Sequence, residues 1–526
     1  MKILNAKQIK QADQATIKNE PIAAIDLMER AAYTCFSWLE NNISLEVNDV
    51  HIFCGVGNNG GDGLAIARLL YKEDFPTATN IVHFSEKMSD DFITNYRRAE
   101  EVGIHPLSIH SEDDFPEINK GDVVIDAIFG IGLNRAVTGF TKELIEHINN
   151  SGATIYAIDI PSGLFIDKHT PSSNAVIKAN NTLTFQFPKL AFLLPENQDY
   201  VSSFAISNIG LDAGFIENIK TNNLFVTDIE VAALYKERKK FSHKGTYGHS
   251  LIIAGSFGKI GAAVLASKAA LRIGSGLVTA YIPKCGYNIM QTSIPEVMVE
   301  VDAENELEFF NFKTKPTVIG IGMGIGTAAK TAKALGEFLK TNKTPLVLDA
   351  DALNIISKNK EFLNYLPANS IITPHPKEFE RLVGKWNTDF EKLDLLSQFS
   401  KKYNCIIVLK GAHTVVVQNE QFYFNSTGSS GLATAGTGDV LTGIITGLIA
   451  QQYTALDAAI IGVFTHGRAA DLYFLKKDNN SLLASDVIEF LGDVKESIEV
   501  LSRDDNQEIE GIDDYFFDDE DMDLPF

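Results

Sequence analysis

The chain has few cysteines, no long apolar run and no excess of basic charge. Its 526 residues contain four cysteines (Cys35, Cys54, Cys285 and Cys405), which lie far apart and form no CxxC pair. This spacing argues against a disulfide framework or a cysteine zinc site and favours a reducing compartment. The sequence has no apolar run of about 18 residues and no signal-peptide core at its N-terminus. We therefore expect a soluble, cytoplasmic protein.

Basic residues are also scarce. Lys and Arg total 46 against 68 acidic residues, which gives a formal charge of −22. A chain this acidic does not attract phosphate backbones, so we expect no nucleic acid as a partner. We also expect no membrane as a partner, since long apolar runs are absent, and we expect a homo-oligomer. Residues 503–526 carry eleven acidic residues and one basic residue. We expect this segment to be a disordered solubilising tail and not a docking segment.

Short β-rich runs alternate with helix-like stretches along most of the chain, which predicts an α/β fold with largely parallel sheets. The pattern runs from Val50 to Ile160 and restarts at Ser250, and a hairpin is predicted for Thr414–Gln418 and Gln421–Asn425. A polar stretch at 216–244 separates the two series, and the predicted domain boundary lies near residue 222.

The first glycine cluster follows an apolar strand and has the sequence GVGNNGGDG at 55–63. Five glycines in nine residues allow close backbone approach and positive φ angles, and the helix predicted after them offers free N–H groups to a phosphate. The cluster is neither a Walker A loop nor a GxGxxG motif. A tight strand-to-helix turn without a ligand remains the alternative.

Two further strand ends carry oxygen-bearing side chains. One contains Asp126, and the other contains Asp159 followed by Ser162. In a doubly wound sheet such strand ends meet at one edge, together with Asn58 and Asn59. Carboxylate, amide and hydroxyl oxygens without Cys or His favour a hard cation over zinc.

The C-terminal half contains the clearest chemical motif, GSSGLATAGTGD at 428–439. Backbone N–H groups of Gly436, Thr437 and Gly438 and the dipole of the helix that follows would receive a phosphate. Asp439 could then accept the proton of a substrate hydroxyl that attacks phosphorus. The supporting segments are KGAHT at 410–414, DADALN at 349–354 and TPHPKE at 373–378. An N-capping aspartate after a glycine turn is the simpler alternative.

Together these motifs resemble the bifunctional NAD(P)H-hydrate repair family, in which an NAD(P)HX epimerase is fused to an NAD(P)HX dehydratase; NADHX and NADPHX are the hydrated forms of NADH and NADPH. The resemblance covers roughly residues 1–500. It implies a Rossmann-like epimerase domain at 1–222, a ribokinase-like dehydratase domain at 223–502 and the acidic tail at 503–526.

The resemblance also implies roles for individual residues. In the epimerase half the implied hydrate-binding residues are Asn58, Asn59, Gly60, Gly61, Asp62, Gly130, Ile131, Gly132, Leu133, Asn134, Arg135, Ala136 and Asp159, and the implied potassium ligands are Asn59, Asp126 and Ser162. In the dehydratase half the implied hydrate-binding residues are Ala262, Gly324, His375 and Asp439, and the implied nucleotide-binding residues are Lys410, Gly411, Ala412, His413, Thr414 and Gly438.

The implied chemistry is repair of a damaged cofactor. Asp439 would activate the 6-hydroxyl of the S hydrate, which takes a phosphoryl group from ADP with Mg²⁺ present, and phosphate then leaves to give NADH or NADPH and AMP. Asp159 would assist epimerisation at C6. The alternatives are a ribokinase-like kinase for a vitamin precursor with an N-terminal binding module, and a non-catalytic interaction module as the N-terminal half.

Overall fold

The computed structural model describes residues 1–43, 47–477 and 481–504, which form two compact units. The first unit contains Met1–Phe225 and Trp386–Asp394, and the second contains Val226–Lys385 and the described residues from Leu395 onward. The predicted acidic tail lies outside the described residues, except for the end of the last helix. Within the described ranges, none of the helices is both long and apolar enough to cross a membrane.

A parallel sheet forms the centre of the first unit. Its strands are β1 (Val50–Gly55), β2 (Thr77–Val82), β3 (Leu107–Ile109), β4 (Val123–Ala127), β5 (Thr154–Ile158), β6 (Asn181–Phe185) and β7 (Phe204–Ser207). The helices are α1 (Ala6–Asn19), α2 (Ala24–Asn42), α3 (Asn58–Lys72), α4 (Asp90–Glu101), α5 (Phe140–Asn150) and α6 (Ala213–Asn218). The strand order is β3-β2-β1-β4-β5-β6-β7. The order of the strands therefore changes direction beside β1, which forms parallel pairs with both β2 and β4.

The second sheet is larger and has mixed strand directions. Its strands are β8 (Asn223–Val226), β9 (His249–Ile253), β10 (Leu277–Ile282), β11 (Met298–Val301), β12 (Val318–Ile321), β13 (Leu346–Leu348), β14 (Ile371–Ile372), β15 (Ile406–Leu409), β16 (Val415–Gln418) and β17 (Gln421–Asn425). The order is β11-β10-β9-β12-β13-β14-β15-β16-β17-β8. Neighbours from β11 to β15 are parallel, whereas β16 is antiparallel to both β15 and β17.

The remaining helices follow β8 along the chain. They are α7 (Asp228–Leu234), α8 (Ile260–Ile273), α9 (Tyr287–Ser293), α10 (Ala329–Thr341), α11 (Ala350–Lys358), α12 (Pro376–Val383), α13 (Asp389–Tyr403), α14 (Thr437–Ala450), α15 (Ala455–Lys476) and α16 (Ala484–Asp504). The predicted α/β class with parallel sheets and the predicted hairpin β16–β17 are therefore confirmed. The polar stretch at 216–244 was predicted only as a seam, but it contains β8 and α7, because Phe225, Val226, Val231 and Ala232 are buried.

The structure corrects the interpretation of the first glycine cluster. Helix α3 begins at Asn58, so Gly60, Gly61 and Gly63 lie inside a helix and not in a loop. None of the cluster's five glycines has a positive φ. Close approach is the reason for glycine here, since a Cβ on Gly60 would lie 1.6 Å from the Gly55 oxygen and one on Gly63 would lie 2.6 Å from the Ala127 Cβ. These glycines let α3 pack directly onto β1 and β4.

Both sheets reverse their strand order beside one central strand, β1 in the first unit and β9 in the second, where ligands of open α/β sheets usually bind. The NNGGD segment follows β1, and Asp126 lies near the end of β4. In the second unit, the 254–259 segment follows β9 and Gly322 and Gly324 follow β12. The topology therefore brings the predicted motifs to the carboxyl edge of each sheet.

Candidate active sites

A cavity of about 920 Å³ lies in the first unit. Asn58, Asn59, Asp62, Asp159 and the whole 130–136 segment line it. Gly60 and Gly61 do not, because they face the packed side of α3. The volume is large enough for a cofactor-sized ligand.

Asp159 is held at the edge of this cavity by a buried ion pair. Its Oδ1 accepts hydrogen bonds from Lys189 Nζ at 2.7 Å, from the Phe185 backbone N–H at 3.2 Å and from Thr184 Oγ1 at 3.3 Å. Lys189 is fully buried, and Asp159 has a left-handed backbone with φ of 63°. A non-glycine residue rarely adopts this conformation unless its surroundings fix it, and such residues concentrate at functional sites.

Two further carboxyl groups face the same cavity, those of Asp13 and Asp62. Burial, followed by the charge of Asp159, raises the pKa of Asp13 to about 6. Burial also raises the pKa of Asp62 well above its usual value, and Asp159 and Asp13 add to that shift. The cavity thus contains carboxyl groups that can hold a proton near neutral pH.

Asp126 and Ser162 lie together behind the cavity. Ser162 donates from Oγ to Asp126 Oδ1 at 2.6 Å and from its backbone N–H to Oδ2 at 2.7 Å. The backbone of Phe129 links Asn59, the third predicted potassium ligand, to Ser162. Its carbonyl accepts from Asn59 Nδ2 at 3.1 Å, and its N–H donates to Ser162 Oγ at 2.8 Å. Burial raises the pKa of the Asp126 carboxyl to about 6, against the opposing effect of the Ser162 hydrogen bonds.

The second unit contains a buried polar group at the carboxyl edge of its sheet. Asp349 follows β13, and its Oδ1 accepts from Lys410 Nζ at 2.9 Å while its Oδ2 accepts from Thr442 Oγ1 at 2.9 Å. A Cβ on Gly438 would lie 3.6 Å from Lys410 Nζ and 3.7 Å from Asp349 Oδ2. Burial, the largest single effect, would lower the pKa of Lys410, but Asp349 together with Glu378 and Asp439 outweighs it and the pKa is raised. Lys410 therefore presents a positive charge next to Gly438.

Helix α14 begins within the GTGD motif, three residues before the predicted start at Val440. Gly436 precedes it with φ of 91°. The N–H groups of Gly438 and Asp439 lie in the first turn of α14 and therefore have no acceptor within the helix. Burial, followed by the charge of Asp349, raises the pKa of Asp439 to about 7, although Lys410 opposes this shift. A carboxyl with this pKa beside a helix N-terminus is suited to general base catalysis.

Two histidines support this region. His466 on α15 donates from Nε2 to the Thr437 carbonyl at 3.0 Å, and burial lowers its pKa to about 4. The ring is therefore neutral at neutral pH and holds the first residue of α14. His375 caps α12, where its Nδ1 accepts from the Lys377 N–H at 3.1 Å, and burial lowers its pKa.

The other predicted residues of the second unit form two groups. Ala262 and Gly324 are neighbours, because a Cβ on Gly324 would lie 3.3 Å from that of Ala262. Residues 410–414 form the turn between β15 and β16, closed by hydrogen bonds in both directions between Gly411 and Thr414. In this turn His413 Nδ1 lies 3.1 Å from the Asn425 carbonyl, and Ala412 has no side chain with which to make such a bond.

Sequence reasoning did not assign site roles to several residues that the structure brings to these sites. They are Asp13 and Lys189 in the first unit, and Asp349, Thr442 and His466 in the second. Asp349 was noticed only as part of a supporting motif. Lys189 follows Pro188 after a β-rich run, a position that gives no local signal of its pairing with Asp159.

Family comparisons cover both units. A model described as NAD(P)H-hydrate dehydratase matches residues 250–492, and one described as YjeF-related protein N-terminus matches residues 24–191. A bifunctional NAD(P)H-hydrate repair enzyme of Coxiella burnetii is 33% identical over 491 residues, covering 92% of this chain and 97% of that protein. The chain belongs to the bifunctional NAD(P)H-hydrate repair enzymes.

Other members of this family align over similar lengths. The Moorella thermoacetica enzyme is 31% identical over 517 residues, which is 95% of this chain and 97% of the relative. A solved Bacillus subtilis structure, described as an ADP/ATP-dependent NAD(P)H-hydrate dehydratase co-crystallised with ATP and Mg²⁺, is 29% identical and covers 53% of this chain and 100% of its own, with a TM-score of 0.47. The alignment of both halves with bifunctional relatives favours repair over a vitamin-precursor kinase and over a non-catalytic N-terminal module.

Proposed function

We propose that this chain repairs hydrated NADH and NADPH at two sites. The first site interconverts the R and S hydrates, and the second dehydrates the S hydrate with ADP and releases AMP and phosphate. The observation that carries the proposal is that both carboxylate sites occur in one chain that aligns along 92% of its length with a bifunctional relative. We assign epimerisation to residues 1–222 and dehydration to residues 223–502.

In the dehydratase site we assign the role of general base to Asp439. Its raised pKa of about 7 lets the carboxylate take a proton from the 6-hydroxyl at neutral pH. The free N–H groups of α14 and the Lys410 ammonium would stabilise the charge on the transferred phosphoryl group. We assign nucleotide binding to residues 410–414 and Gly438, and hydrate binding to Ala262, Gly324, His375 and Asp439.

Magnesium would enter this site with the nucleotide phosphates, whose charge it neutralises. Asp351, whose charge contributes to the raised pKa of Asp439, offers a hard carboxylate oxygen. Its Oδ2 accepts the Gly326 N–H at 2.9 Å and lies 3.6 Å from Lys259 Nζ. These residues fit a magnesium–nucleotide complex, and the protein groups themselves orient the phosphates and hold the proton.

In the epimerase site we assign acid–base work at C6 to Asp159 and binding of the hydrate to residues 58–62, 130–136 and Asp159. Lys189 fixes the Asp159 carboxylate so that one oxygen is held by three donors. The other oxygen would then face the ligand in the cavity. The apolar residues of the cavity wall would exclude water from the reacting ring.

We also propose a potassium ion next to this cavity, held by Asn59, Asp126 and Ser162. The donor set fits, because it consists of amide, carboxylate and hydroxyl oxygens. Burial raises the pKa of the Asp126 carboxyl to about 6, and a cation would compensate the cost of ionising this buried group. The ion would supply positive charge and fix the 129–136 segment.

The test uses the full chain with a mixture of R and S NADHX and ADP, followed at the absorbance band of NADH. Complete conversion is expected because both sites act in sequence. Conversion of only the S portion would refute the epimerase assignment, and no conversion with ADP or ATP would refute the dehydratase assignment. Asp439→Asn is expected to abolish dehydration and leave epimerisation intact, whereas Asp159→Asn should do the reverse, so each variant is the control for the other.

Two broader expectations belong to the same proposal. A reducing, cytoplasmic setting agrees with four free cysteines, and fractionation of the source cells tests it. A homo-oligomer is the expected assembly, and light scattering on the purified chain measures it.

A further inference from the structure

Asp13 lies on the wall of the large cavity, and within the part of the chain that the structure describes its carboxyl group has no hydrogen-bond or ion-pair partner. We propose that Asp13, on α1, is a second catalytic residue of the epimerase site and exchanges protons with the reacting ring together with Asp159. The inference rests on the proposed epimerisation. It adds a residue from a helix that lies before the segment 24–191 matched by the N-terminal family model.

The contrast between the two carboxylates supports separate roles. Asp159 Oδ1 accepts from three donors, among them Lys189 Nζ. Among the described residues, no hydrogen bond or ion pair ends on the carboxyl group of Asp13. Because it is half-buried and faces a cavity of about 920 Å³, its hydrogen-bonding capacity is left for a ligand.

Burial and the neighbouring charges bring the pKa of the Asp13 carboxyl close to neutral pH. Asp159 raises its pKa, and Lys189 and Lys10 lower it, with burial the largest effect and a resulting value of about 6. Asp62 and Arg135 line the same cavity. A group with this pKa exists in both protonation states near neutral pH, as a reversible proton transfer requires.

The reaction needs two groups that exchange protons with the ring. At C6 the hydroxyl and the ring nitrogen are bound to the same carbon, so epimerisation can proceed by ring opening. One carboxylate takes the hydroxyl proton, the C6–O bond becomes a carbonyl, the C6–N1 bond breaks, and N1 receives the electron pair and a proton from the other carboxyl. Rotation about C5–C6 and reversal of these steps close the ring on the opposite face. The protons return to their donors, so no co-reactant is consumed.

The test compares Asp13→Asn, Asp13→Glu and a matched control, Asp74→Asn. Asp74 is exposed in the same unit and has φ of 62°, which asparagine also adopts readily. With purified R hydrate, excess ADP and enough dehydratase activity to remove the S product, NADH formation measures epimerisation. We expect Asp13→Asn to lower kcat by about 10²-fold or more with little change in KM, and Asp13→Glu to retain a larger part of kcat.

Further measurements separate the possible failures. The S hydrate alone reports the dehydratase activity of each variant, and thermal unfolding reports folding. The wild-type pH profile of epimerisation should have an inflection near 6 that disappears in Asp13→Asn. If the wild type fails to convert the R hydrate, the proposed function is wrong. If the wild type converts it and folded Asp13→Asn is equally fast, or retains the inflection, the role of Asp13 is wrong while the proposed function stands.

Discussion

The buried pair of Lys189 and Asp159 makes a quantitative prediction. Lys189→Met keeps the length of the side chain but removes the ammonium, which donates to Asp159 at 2.7 Å and to the Phe185 and Phe187 carbonyls at 3.2 Å each. The side chain of Lys189 is fully buried and that of Asp159 is 10% exposed, so water cannot replace the lost donor. The variant therefore leaves a carboxylate in the protein interior without its partner.

The expected cost follows from this burial. Removal of one member of a buried ion pair typically destabilises a protein by about 3–5 kcal/mol, and we expect the same range for Lys189→Met and for Asp159→Asn. The double variant should be more stable than the sum of the single losses predicts, because it removes both charges. We expect a coupling free energy of at least about 2 kcal/mol, within the range found for residues in contact.

Tryptophan fluorescence can isolate this unit. The chain has two tryptophans, Trp38 and Trp386, and both belong to the first unit. Trp38 packs edge-on against Tyr156 at a centroid distance of 5.7 Å. In a Trp386→Phe background, urea denaturation followed by Trp38 emission should therefore report the unfolding of the first unit.

The control is Lys178→Met, an exposed lysine of the same unit, which should change stability by less than about 0.5 kcal/mol. If the losses in the free energy of unfolding at Lys189 and Asp159 add without a coupling free energy, the two side chains do not form a buried ion pair. A cost at Lys189 no larger than that of the control would refute the burial on which the reasoning depends.

Three other predictions concern packing, the second site and pH. Gly60→Ala should destabilise the first unit by about 1–3 kcal/mol, because its Cβ would lie 1.6 Å from a backbone oxygen. Gly57→Ala is the control, since a Cβ there meets nothing within 4 Å. Equal denaturation midpoints for the two variants would contradict this prediction. Thr442→Val removes a 2.9 Å hydrogen bond to Asp349 and should lower dehydratase kcat/KM about tenfold. The control is Thr446→Val, because the Thr446 hydroxyl donates within its own helix. Similar losses of kcat/KM in the two variants would argue against a role for the Thr442–Asp349 hydrogen bond. Dehydration should accelerate as pH rises through about 7, where Asp439 ionises, and a flat steady-state rate profile would exclude it as the base.

Much of the architecture could be predicted because it depends on local patterns. Apolar β-rich runs alternating with amphipathic stretches gave the α/β class, and the turn between Gln418 and Gln421 gave the hairpin. The prediction was wrong at the first glycine cluster, because a glycine-rich segment can form either a loop or a closely packed helix. The two glycines of NNGGD were expected in a loop, but both lie in α3. Gly60 is required for close contact with Gly55 of β1 and Gly61 for close contact with Met28 of α2, and neither has a positive φ.

The site residues divide in the same way. Asp439 was recognisable because the glycines that shape its surroundings are adjacent in sequence. Lys189 and Asp13 were not, since neither belongs to a local motif. The assignment of Asp13 required a cavity wall assembled from α1 and from the carboxyl ends of several strands. The assignment of Lys189 required its hydrogen bond to Asp159.

The motifs, the alternation of elements and the family resemblance can be read from the amino-acid sequence, since all three are properties of neighbouring residues. Which charged groups meet depends on the tertiary fold. Lys410 and Asp349 are 61 residues apart in the chain, and Thr442 is 93 residues from Asp349. These partners come together because parallel strands β13 and β15 end at the same edge of the sheet and α14 begins beside them. Strand order sets these distances, and it is a property of the whole fold that local spacing does not encode.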